Sequence, residues 1–404
     1  MKNLILCTHH FWPETFQINS VAENLAKKKN IKLTVLTGLP NYPDGEIYKK
    51  YKKINKLYQE NYKNINIYRC PVIPRKKGNA LNLIINYLSF IIFGIIYFNK
   101  IKFKKKIDYI LTYSTSPITS NLTAIFLKKK YNTKLAIWLQ DIWPESVEAT
   151  GHIKNKFILK IILLIVKYIL KNADIIFVPS KGFIKNTFNK VKNKKIVYIP
   201  NSCFNNPKNL KNNLPKKLDY LLKKKKCFVY SGNIGKAQNI SSIVDAAEKL
   251  KNKKNIFFII IGNGSEKKNI QQKIQLLELK NILMIPQSSY DDVIKISTRA
   301  SGLLITLENH WLFNLYIPNK FQNYLRLKIP ILGSIDGEVA KIINKKKIGF
   351  ACAPNNVNQF AKNIIKVSNL KSREIKKIRN NCKRLLIDEF SSKRQIEKIL
   401  KNLI

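Results

Sequence analysis

Residues 227–264 read CFVYSGNIGKAQNISSIVDAAEKLKNKKNIFFIIIGNG, and this stretch decides the fold class of the chain. Two short runs of β-branched and aromatic residues, 227–231 and 256–262, flank a helical pattern at 241–251. Strand, helix and strand in this order form a βαβ unit, in which the two strands lie parallel in one sheet. The stretch therefore predicts an α/β fold.

The same rhythm occurs in both halves of the chain, which predicts two Rossmann-like domains that face one another. In the first half the predicted strands are 3–8, 32–37, 109–113, 135–139 and 175–179. In the second half they are 227–231, 256–262, 282–285, 302–306 and 329–333. Residues 206–225 are rich in Asn, Pro and Lys, so we predict a linker there, between a first domain at 1–205 and a second that begins at 226.

The chain is strongly basic: its 404 residues include 74 Lys and Arg against 24 Asp and Glu, a net charge of +50. Because 45% of the residues are hydrophobic, the chain can bury large cores, which excludes intrinsic disorder. Lys, Asn and Ile are enriched together throughout, so compositional background is the main source of the charge. The basic residues are dispersed and form no recognised nucleic-acid-binding module, so we expect no nucleic-acid partner.

The cysteines and the N-terminus both indicate a cytoplasmic protein. The first apolar run ends at His9 and His10 and is too short for a signal peptide. The six cysteines show no CxxC spacing, which disfavours a zinc site or a disulfide framework and fits a reducing compartment. They are Cys7, Cys70, Cys203, Cys227, Cys352 and Cys382.

An uncharged apolar segment, Leu81 to Phe98, interrupts this soluble pattern and approaches the length of a membrane span. Asn82 and Gly94 interrupt it, so we predict a buried or membrane-dipping helix rather than a span. With the basic run that follows, Leu81 to Lys106 is the expected contact with an anionic membrane surface. A second stretch, Phe157 to Leu170, fits either a core helix or an interfacial one.

Polar and aromatic residues crowd the loops after four predicted strands of the first domain. Ligands of open parallel sheets bind beyond the carboxyl ends of the strands, so these loops are candidate site segments. Asp141 fits either a site residue or a helix N-cap. The candidates here are His10, Trp12, Glu14, Asn41, Tyr42, Ser116, Asp141 and Glu145.

Two glycine loops follow consecutive predicted strands of the second domain, each ahead of a helix. Glycine lets the backbone approach an anion, and a helix N-terminus favours negative charge, so we predict a nucleotide diphosphate site. Neither loop has the GxGxxG or GxxxxGK[ST] pattern, which disfavours dinucleotide oxidoreductases and P-loop proteins. The candidate residues are Gly232, Asn233, Gly235, Gln238, Gly262 and Gly264.

A third helix start lies at residues 317–325, IPNKFQNYL. Pro318 and Asn319 are expected in its first turn, which would direct backbone N–H groups and the Lys320 ammonium toward the glycine loops. Lys320 is the predicted positive partner of the diphosphate.

These motifs together resemble the family 4 glycosyltransferases, and most closely the O-antigen and capsule branch that includes N-acetyl-L-fucosamine transferases. The resemblance is collinear over essentially the whole chain. The motifs are FWPE (11–14), GLPNYPDG (38–45), NYLSF (86–90), DIWPES (141–146), SGNIGKAQ (231–238), IIGNG (260–264), IPNKFQNYL (317–325) and DGE (336–338).

The resemblance implies a GT-B fold with two facing domains. The second domain, 226–385, is expected to bind a UDP-linked sugar donor. Glu338 is a further residue that is expected to bind this donor. The first domain is expected to bind the acceptor, a glycan on polyprenyl diphosphate. Residues 386–404 are expected to form a helix that packs back on this first domain. Transfer is expected to retain the anomeric configuration and to need no metal or other cofactor. Asp141, Glu145 and Lys320 are the expected catalytic residues. The enzyme is expected at the inner face of the plasma membrane.

The chain departs from the wider family at several positions. Its first glycine loop has Asn233 and Gln238 where relatives carry Arg and Lys, and a pair of glutamates is replaced at Leu315 and Asn323. The histidine common after the fourth strand aligns with Gln140. Lys320 and Glu338 are accordingly the stronger candidates.

Two other classes of function fit the composition less well. A sugar-nucleotide 2-epimerase shares the fold but needs acid and base groups around the sugar, and the chain has only 4 histidines. A non-catalytic protein that binds polyanions or membranes would use the net charge alone.

Overall fold

The computed structural model describes residues 1–76, 79–149, 153, 155–203 and 214–403. It divides into two compact units: Met1–Pro200 with Ser392–Ile404, and Asn201–Ser391. The boundaries thus fall at 200 and 391, rather than at the predicted 205 and 385. The second half of the predicted linker 206–225 is a helix, Lys216–Lys224, because Leu218 and Leu222 are buried in the core of the second unit.

The first unit is built on an eight-stranded sheet in the order β3-β4-β2-β1-β5-β6-β7-β8. Neighbouring strands are parallel, apart from the antiparallel pair of β3 and β4. The strands are β1 Lys2–Cys7, β2 Ile31–Gly38, β3 Tyr58–Tyr62, β4 Ile65–Cys70, β5 Tyr109–Ser114, β6 Lys134–Leu139, β7 Ile175–Val178 and β8 Lys195–Tyr198. Their helices are α1 Gln17–Ala26, α2 Ala80–Phe98, α3 Asn121–Lys130, α4 Glu145–Ala149, α5 Lys156–Asn172 and α6 Gly182–Lys190.

The second unit has a six-stranded parallel sheet in the order β11-β10-β9-β12-β13-β14. Its strands are β9 Lys226–Ser231, β10 Ile256–Ile261, β11 Ile282–Ile285, β12 Gly302–Thr306, β13 Ile331–Ser334 and β14 Gly349–Cys352. The helices are α7 Lys216–Lys224, α8 Ser241–Lys249, α9 Lys267–Leu276, α10 Tyr290–Ser297, α11 Asn319–Leu327, α12 Gly337–Lys345, α13 Val357–Ser368 and α14 Ser372–Leu385. Apolar clusters cover both faces of this sheet, as in other doubly wound domains.

The C-terminal helix α15, Ser392–Leu403, belongs to the first unit. Ile396, Ile399 and Leu403 recur at helical spacing and are buried in the apolar cluster that also holds Ile18 and Leu25 of α1.

Of the described helices, α2 is the one long and apolar enough to cross a membrane by length and composition. It is nevertheless packed along one face: Phe90 and Phe98 are fully buried, and a Cβ on Gly94 would lie 2.8 Å from Thr123 Cγ2 of α3. The opposite face exposes a stripe of apolar side chains. These are Leu81, Ile84, Leu88, Ile92 and Ile96, which are 48–65% exposed.

Candidate active site

The two glycine loops of the second unit are packed backbone to backbone at the carboxyl ends of β9 and β10. A Cβ on Gly262 would lie 1.9 Å from the Gly232 carbonyl oxygen, and one on Gly264 would lie 2.4 Å from the Ile234 oxygen. The φ angle of both glycines is +156°, which side chains disfavour. The Ile234 N–H donates to the Asn263 oxygen at 2.8 Å. The loops therefore form a single rigid surface.

Side-chain amides brace the first of these loops. Gln238 Oε1 accepts from Asn233 Nδ2 at 3.0 Å and from the Gly235 N–H at 3.2 Å. The Tyr230 hydroxyl donates to the Asn233 oxygen at 2.7 Å. Asn233 and Gln238 occupy the positions at which family members carry Arg and Lys. Their amides thus stabilise the conformation of the loop and add no charge.

Lys320 brings a cation to this surface from the first turn of α11, with Pro318 at the N-cap. Its Nζ lies 3.7 Å from the ring centroid of Tyr230 and 3.3 Å from the position of a Cβ on Gly232. Within the described residues this buried nitrogen has no hydrogen-bond partner. Burial lowers the pKa of Lys320 to about 7. Since buried charges are normally paired, an ammonium in this state indicates an anionic ligand.

A cavity of about 510 Å³ opens beside Lys320, within the size range of small-molecule sites. One end is formed by the glycine loops and Lys320, and the other by residues after β11 and by α10. The lining residues are Ser231, Gly232, Asn233, Ile261, Gly262, Asn263, Gln287, Ser288, Tyr290, Val293, Ile294, Ser297, Lys320, Asn323, Tyr324 and Leu327.

The remaining predicted donor residues lie outside that lining. Gly235, Gln238 and Gly264 contact other residues of the glycine loops. Asn319 Oδ1 accepts from Asn201 Nδ2 at 3.3 Å. Glu338 is half-buried in the first turn of α12, in a loop that packs on residues 313–315. The described contacts do not bring Glu338 to Lys320.

In the first unit, Glu14 joins the loops after β1 and β2. Its buried carboxylate accepts from the backbone N–H groups of Asn41 and Tyr42, each at 2.8 Å, and from that of Phe11 at 3.2 Å. His10 Nδ1 lies 3.0 Å from the same carboxylate. The structure thus brings His10, Glu14, Asn41 and Tyr42 together, with Glu14 as the brace between the two loops. Their role on the acceptor side stays a prediction.

Asp141 and Ser116 form a second group, at the ends of β6 and β5. Ser116 Oγ donates to Asp141 Oδ2 at 3.0 Å and accepts from Trp143 Nε1 at 3.1 Å. Burial raises the pKa of the Asp141 carboxyl, although hydrogen bonds from Ser116 act in the opposite direction. Asp141 is therefore a half-buried carboxyl held by a neighbouring loop, suited to bind a hydroxyl group.

Glu145 and Trp12 are engaged elsewhere. Glu145 pairs with Lys190 of α6 at 2.7 Å and accepts from Asn186 at 2.9 Å, which fixes α4 to α6. Trp12 stacks on Tyr62 of β3 with ring centroids 4.2 Å apart. Both side chains thus have partners within the first unit, and the catalytic role of Glu145 stays a prediction.

Sequence reasoning missed three residues with unusual environments. Tyr230 lies beneath Lys320; its position as the penultimate residue of a buried strand was the available signal. His9 is buried and Arg75 stacks on the Tyr42 ring, with centroid distance 4.3 Å. No local pattern distinguished Arg75 from the other basic residues.

Across the described ranges, no three His, Cys, Asp or Glu side chains are grouped so that they could hold a metal ion.

Comparisons with known proteins identify relatives of the chain. Residues 216–385 match the family model described as Glycosyl transferases group 1. The chain is 22% identical over 303 residues to the putative colanic acid biosynthesis glycosyl transferase WcaI of Escherichia coli, with 72% of each chain covered.

Solved structures share the whole fold. A glycosyltransferase from Rickettsia africae superposes with a TM-score of 0.66 at 17% identity, over 100% of this chain and 98% of that one. Anabaena HepE in complex with UDP and glucose gives a TM-score of 0.67 at 11% identity, over 100% and 99%. Residues 216–385 therefore match the group 1 glycosyltransferase family, and the protein is a glycosyltransferase with the GT-B fold.

Proposed function

We propose that the protein is a retaining glycosyltransferase of family 4 that transfers a sugar from a UDP-linked donor to a lipid-linked glycan. The observation that carries this proposal is the buried, unpartnered Lys320 ammonium beside the interlocked glycine loops. A nucleotide diphosphate supplies the negative charge that this position lacks.

Lys320 and the loop amides would stabilise the charge that develops on the departing diphosphate. Such preorganised electrostatic stabilisation is commonly the largest catalytic contribution, and removal of one donor costs roughly 10²–10³ in rate. In retaining transfer on this fold, the leaving phosphate takes the acceptor proton on the same face, so no general base is required. Asp141 and Ser116 would then orient the acceptor hydroxyl.

We propose UDP as the nucleotide of the donor, because Gln287 and Ser288 offer hydrogen-bonding groups at the far end of the cavity and Val293 an apolar wall. The structural relative HepE was solved with UDP and glucose. For the sugar we propose an N-acetylated deoxyhexosamine, as in the fucosamine transferase branch.

For the acceptor we propose a glycan on polyprenyl diphosphate, used in the synthesis of an O-antigen or capsule polysaccharide. The relative WcaI is named for colanic acid biosynthesis. Such an acceptor lies at the cytoplasmic face of the plasma membrane, where the exposed apolar stripe of α2 would rest on the lipid. Exposed Phe157, Ile161, Leu164 and Tyr168 form a second stripe on α5, and both helices pack against α3.

A donor screen tests the proposal. Purified protein is incubated with UDP-, GDP- and dTDP-sugars and with membrane extract, and the anomeric configuration of any product is determined. We expect transfer from a UDP-sugar with retention. Lys320→Ala should lower turnover roughly 10²- to 10³-fold, whereas Lys341→Ala, an exposed lysine of α12, should not.

Three outcomes would contradict the proposal. An inverted product would exclude retention, and an epimeric UDP-sugar formed without acceptor would indicate an epimerase. Transfer by Lys320→Ala at the rate of the unmodified protein would remove Lys320 from the mechanism.

A further inference from the structure

Polar side chains surround residues 71–76, which follow β4 in the first unit and precede α2. The loop is held from two sides. Ser89 Oγ of α2 accepts from the Ile73 N–H at 2.9 Å, and Asn86 Nδ2 donates to the Ile73 oxygen at 2.6 Å. The Lys76 N–H donates to the Gly45 oxygen at 2.8 Å. The NYLSF segment of α2 thus positions this loop.

The fixed loop places the Arg75 guanidinium over an aromatic ring. Its guanidinium carbon lies 4.3 Å from the ring centroid of Tyr42. A guanidinium stacked in this way keeps its N–H edge available for bidentate bonds to a phosphate.

The described part of the chain offers Arg75 no carboxylate at ion-pair distance. Glu14, the buried acid of the loop after β1, is occupied by His10 and by three backbone N–H groups. Among the described residues, Arg75 therefore has no ion-pair partner for its positive charge.

His9 adds a second unsatisfied group to the cluster. It is 4% exposed, and neither ring nitrogen has a hydrogen-bond partner among the described residues. Its ring lies 4.8 Å from that of Phe90 and 5.9 Å from that of Tyr87, both in the NYLSF segment. Burial, together with the charges of His10 and Arg75, holds the pKa of His9 well below its ordinary value. A neutral imidazole can donate one hydrogen bond to a phosphate, and buried polar groups are rarely left unpaired.

The exposed apolar stripe of α2 adjoins this cluster. Leu81, Ile84 and Leu88 are exposed on the half of the helix that also carries Asn86 and Tyr87. A ligand with a phosphate head and an apolar chain matches this combination of a free cation and an apolar surface.

We propose that Arg75, stacked on Tyr42, and His9 bind the diphosphate of the polyprenyl-diphosphate carrier, whose prenyl chain lies along the exposed stripe of α2. This inference rests on the proposed function, because it assigns the acceptor its binding site.

Direct binding of soluble probes to the full chain tests it. Saturating UDP fills the donor site, and farnesyl diphosphate, inorganic pyrophosphate and farnesol are titrated by calorimetry. We expect farnesyl diphosphate to bind more tightly than either other probe. Arg75→Ala should weaken it roughly 10- to 100-fold, the usual effect of losing charged hydrogen bonds. Lys76→Ala, in the same loop and exposed, should change the affinity less than twofold.

Several results would overturn the inference. One is an unchanged affinity of Arg75→Ala for farnesyl diphosphate. Another is an Arg75→Ala variant that binds phosphatidylglycerol vesicles more weakly but farnesyl diphosphate as before. That result would assign Arg75 to contacts with membrane headgroups. If Arg75→Ala fails to fold, Arg75→Lys replaces it, and full affinity in that variant would contradict a bidentate, stacked contact.

The two proposals fail separately. If the protein transfers sugar from a UDP-sugar and Arg75→Ala binds farnesyl diphosphate with unchanged affinity, this inference alone is refuted. Arg75-dependent binding without transfer from any donor would refute the proposed function alone.

Discussion

Lys320 shows at the residue scale how tertiary context selects one lysine from many. Its charge, helix position and neighbouring Pro318 were visible in the sequence, and they predicted a diphosphate contact. The sequence did not reveal that Nζ is buried against Tyr230 without a partner, because that depends on where β9 and α11 meet in space. The same applies to Glu145, whose partner Lys190 lies 45 residues along the chain.

The lowered pKa of Lys320 predicts a pH dependence of donor binding. With a pKa of about 7 in the free protein, the amine is largely charged below pH 7 and loses its proton above it. The diphosphate favours the charged form, so binding above pH 7 takes up a proton. Affinity for UDP should therefore fall by up to about tenfold per pH unit above 7.

Calorimetry at pH 8 in buffers of different ionisation enthalpy measures this uptake directly. Lys320→Arg, which stays charged, should bind UDP with no uptake at this position. Identical heats in all buffers for the unmodified protein would contradict the prediction.

At the scale of elements, the βα units were predictable and the edges of the sheets were not. The predicted strands of both halves correspond to β1, β2, β5, β6, β7 and β9–β13. The sequence did not predict the hairpin β3–β4, because its residues are largely polar and contain no continuous apolar run. Tertiary contacts stabilise this hairpin. Buried Arg69 pairs with Glu60 at 2.6 Å and donates to the Gly38 oxygen at 3.2 Å. The short strands β8 and β14 were missed as well.

The interlocked glycine loops predict a sharp difference between two substitutions. Gly262→Ala would bring Cβ to 1.9 Å from the Gly232 oxygen, at a φ of +156°. We expect a loss of roughly 2 kcal/mol or more in unfolding free energy, with impaired UDP binding. Gly235→Ala meets only the movable amides of Asn233 and Gln238 and should be milder. Chemical denaturation of both variants provides the comparison, and equal losses would count against the rigid-loop interpretation.

The exposed stripe of α2 predicts lipid binding. Replacement of Ile84, Leu88 and Ile92 by Ser should reduce flotation with anionic liposomes several-fold, because apolar area no longer enters the interface. Stability should change little, since these side chains are 50–53% exposed. Leu276→Ser, on α9, is the matched control at 83% exposure. Equal flotation of all three proteins would show that α2 does not bind lipid.

At the scale of the whole molecule, the C-terminal helix α15 completes the first unit although it follows the second in sequence. The family resemblance implied such a helix near 386–404, and the contacts begin it at Ser392. The +50 charge is distributed over the chain, and few of its lysines have identifiable roles.

Ile399→Ala should therefore destabilise the first unit and spare the second. The side chain is fully buried in the cluster with α1, and such truncations cost about 2–5 kcal/mol. Exposed Lys401→Ala is the control on the same helix. Hydrogen exchange resolved by peptide measures the effect, and a loss of protection confined to residues 226–385 would contradict the assignment of α15.

The sequence by itself determined the α/β class, the two glycine loops and the helix that carries Lys320. These features depend on local periodicity and backbone freedom, which a single stretch of chain displays. Only the tertiary structure decided which polar side chains are paired and which remain free. It tied Glu14 and Glu145 to structural partners. Among the described residues it left Lys320 and His9 without hydrogen-bond partners, and it placed Arg75 over the Tyr42 ring. Pairing depends on which loops meet, and that is a property of the folded chain.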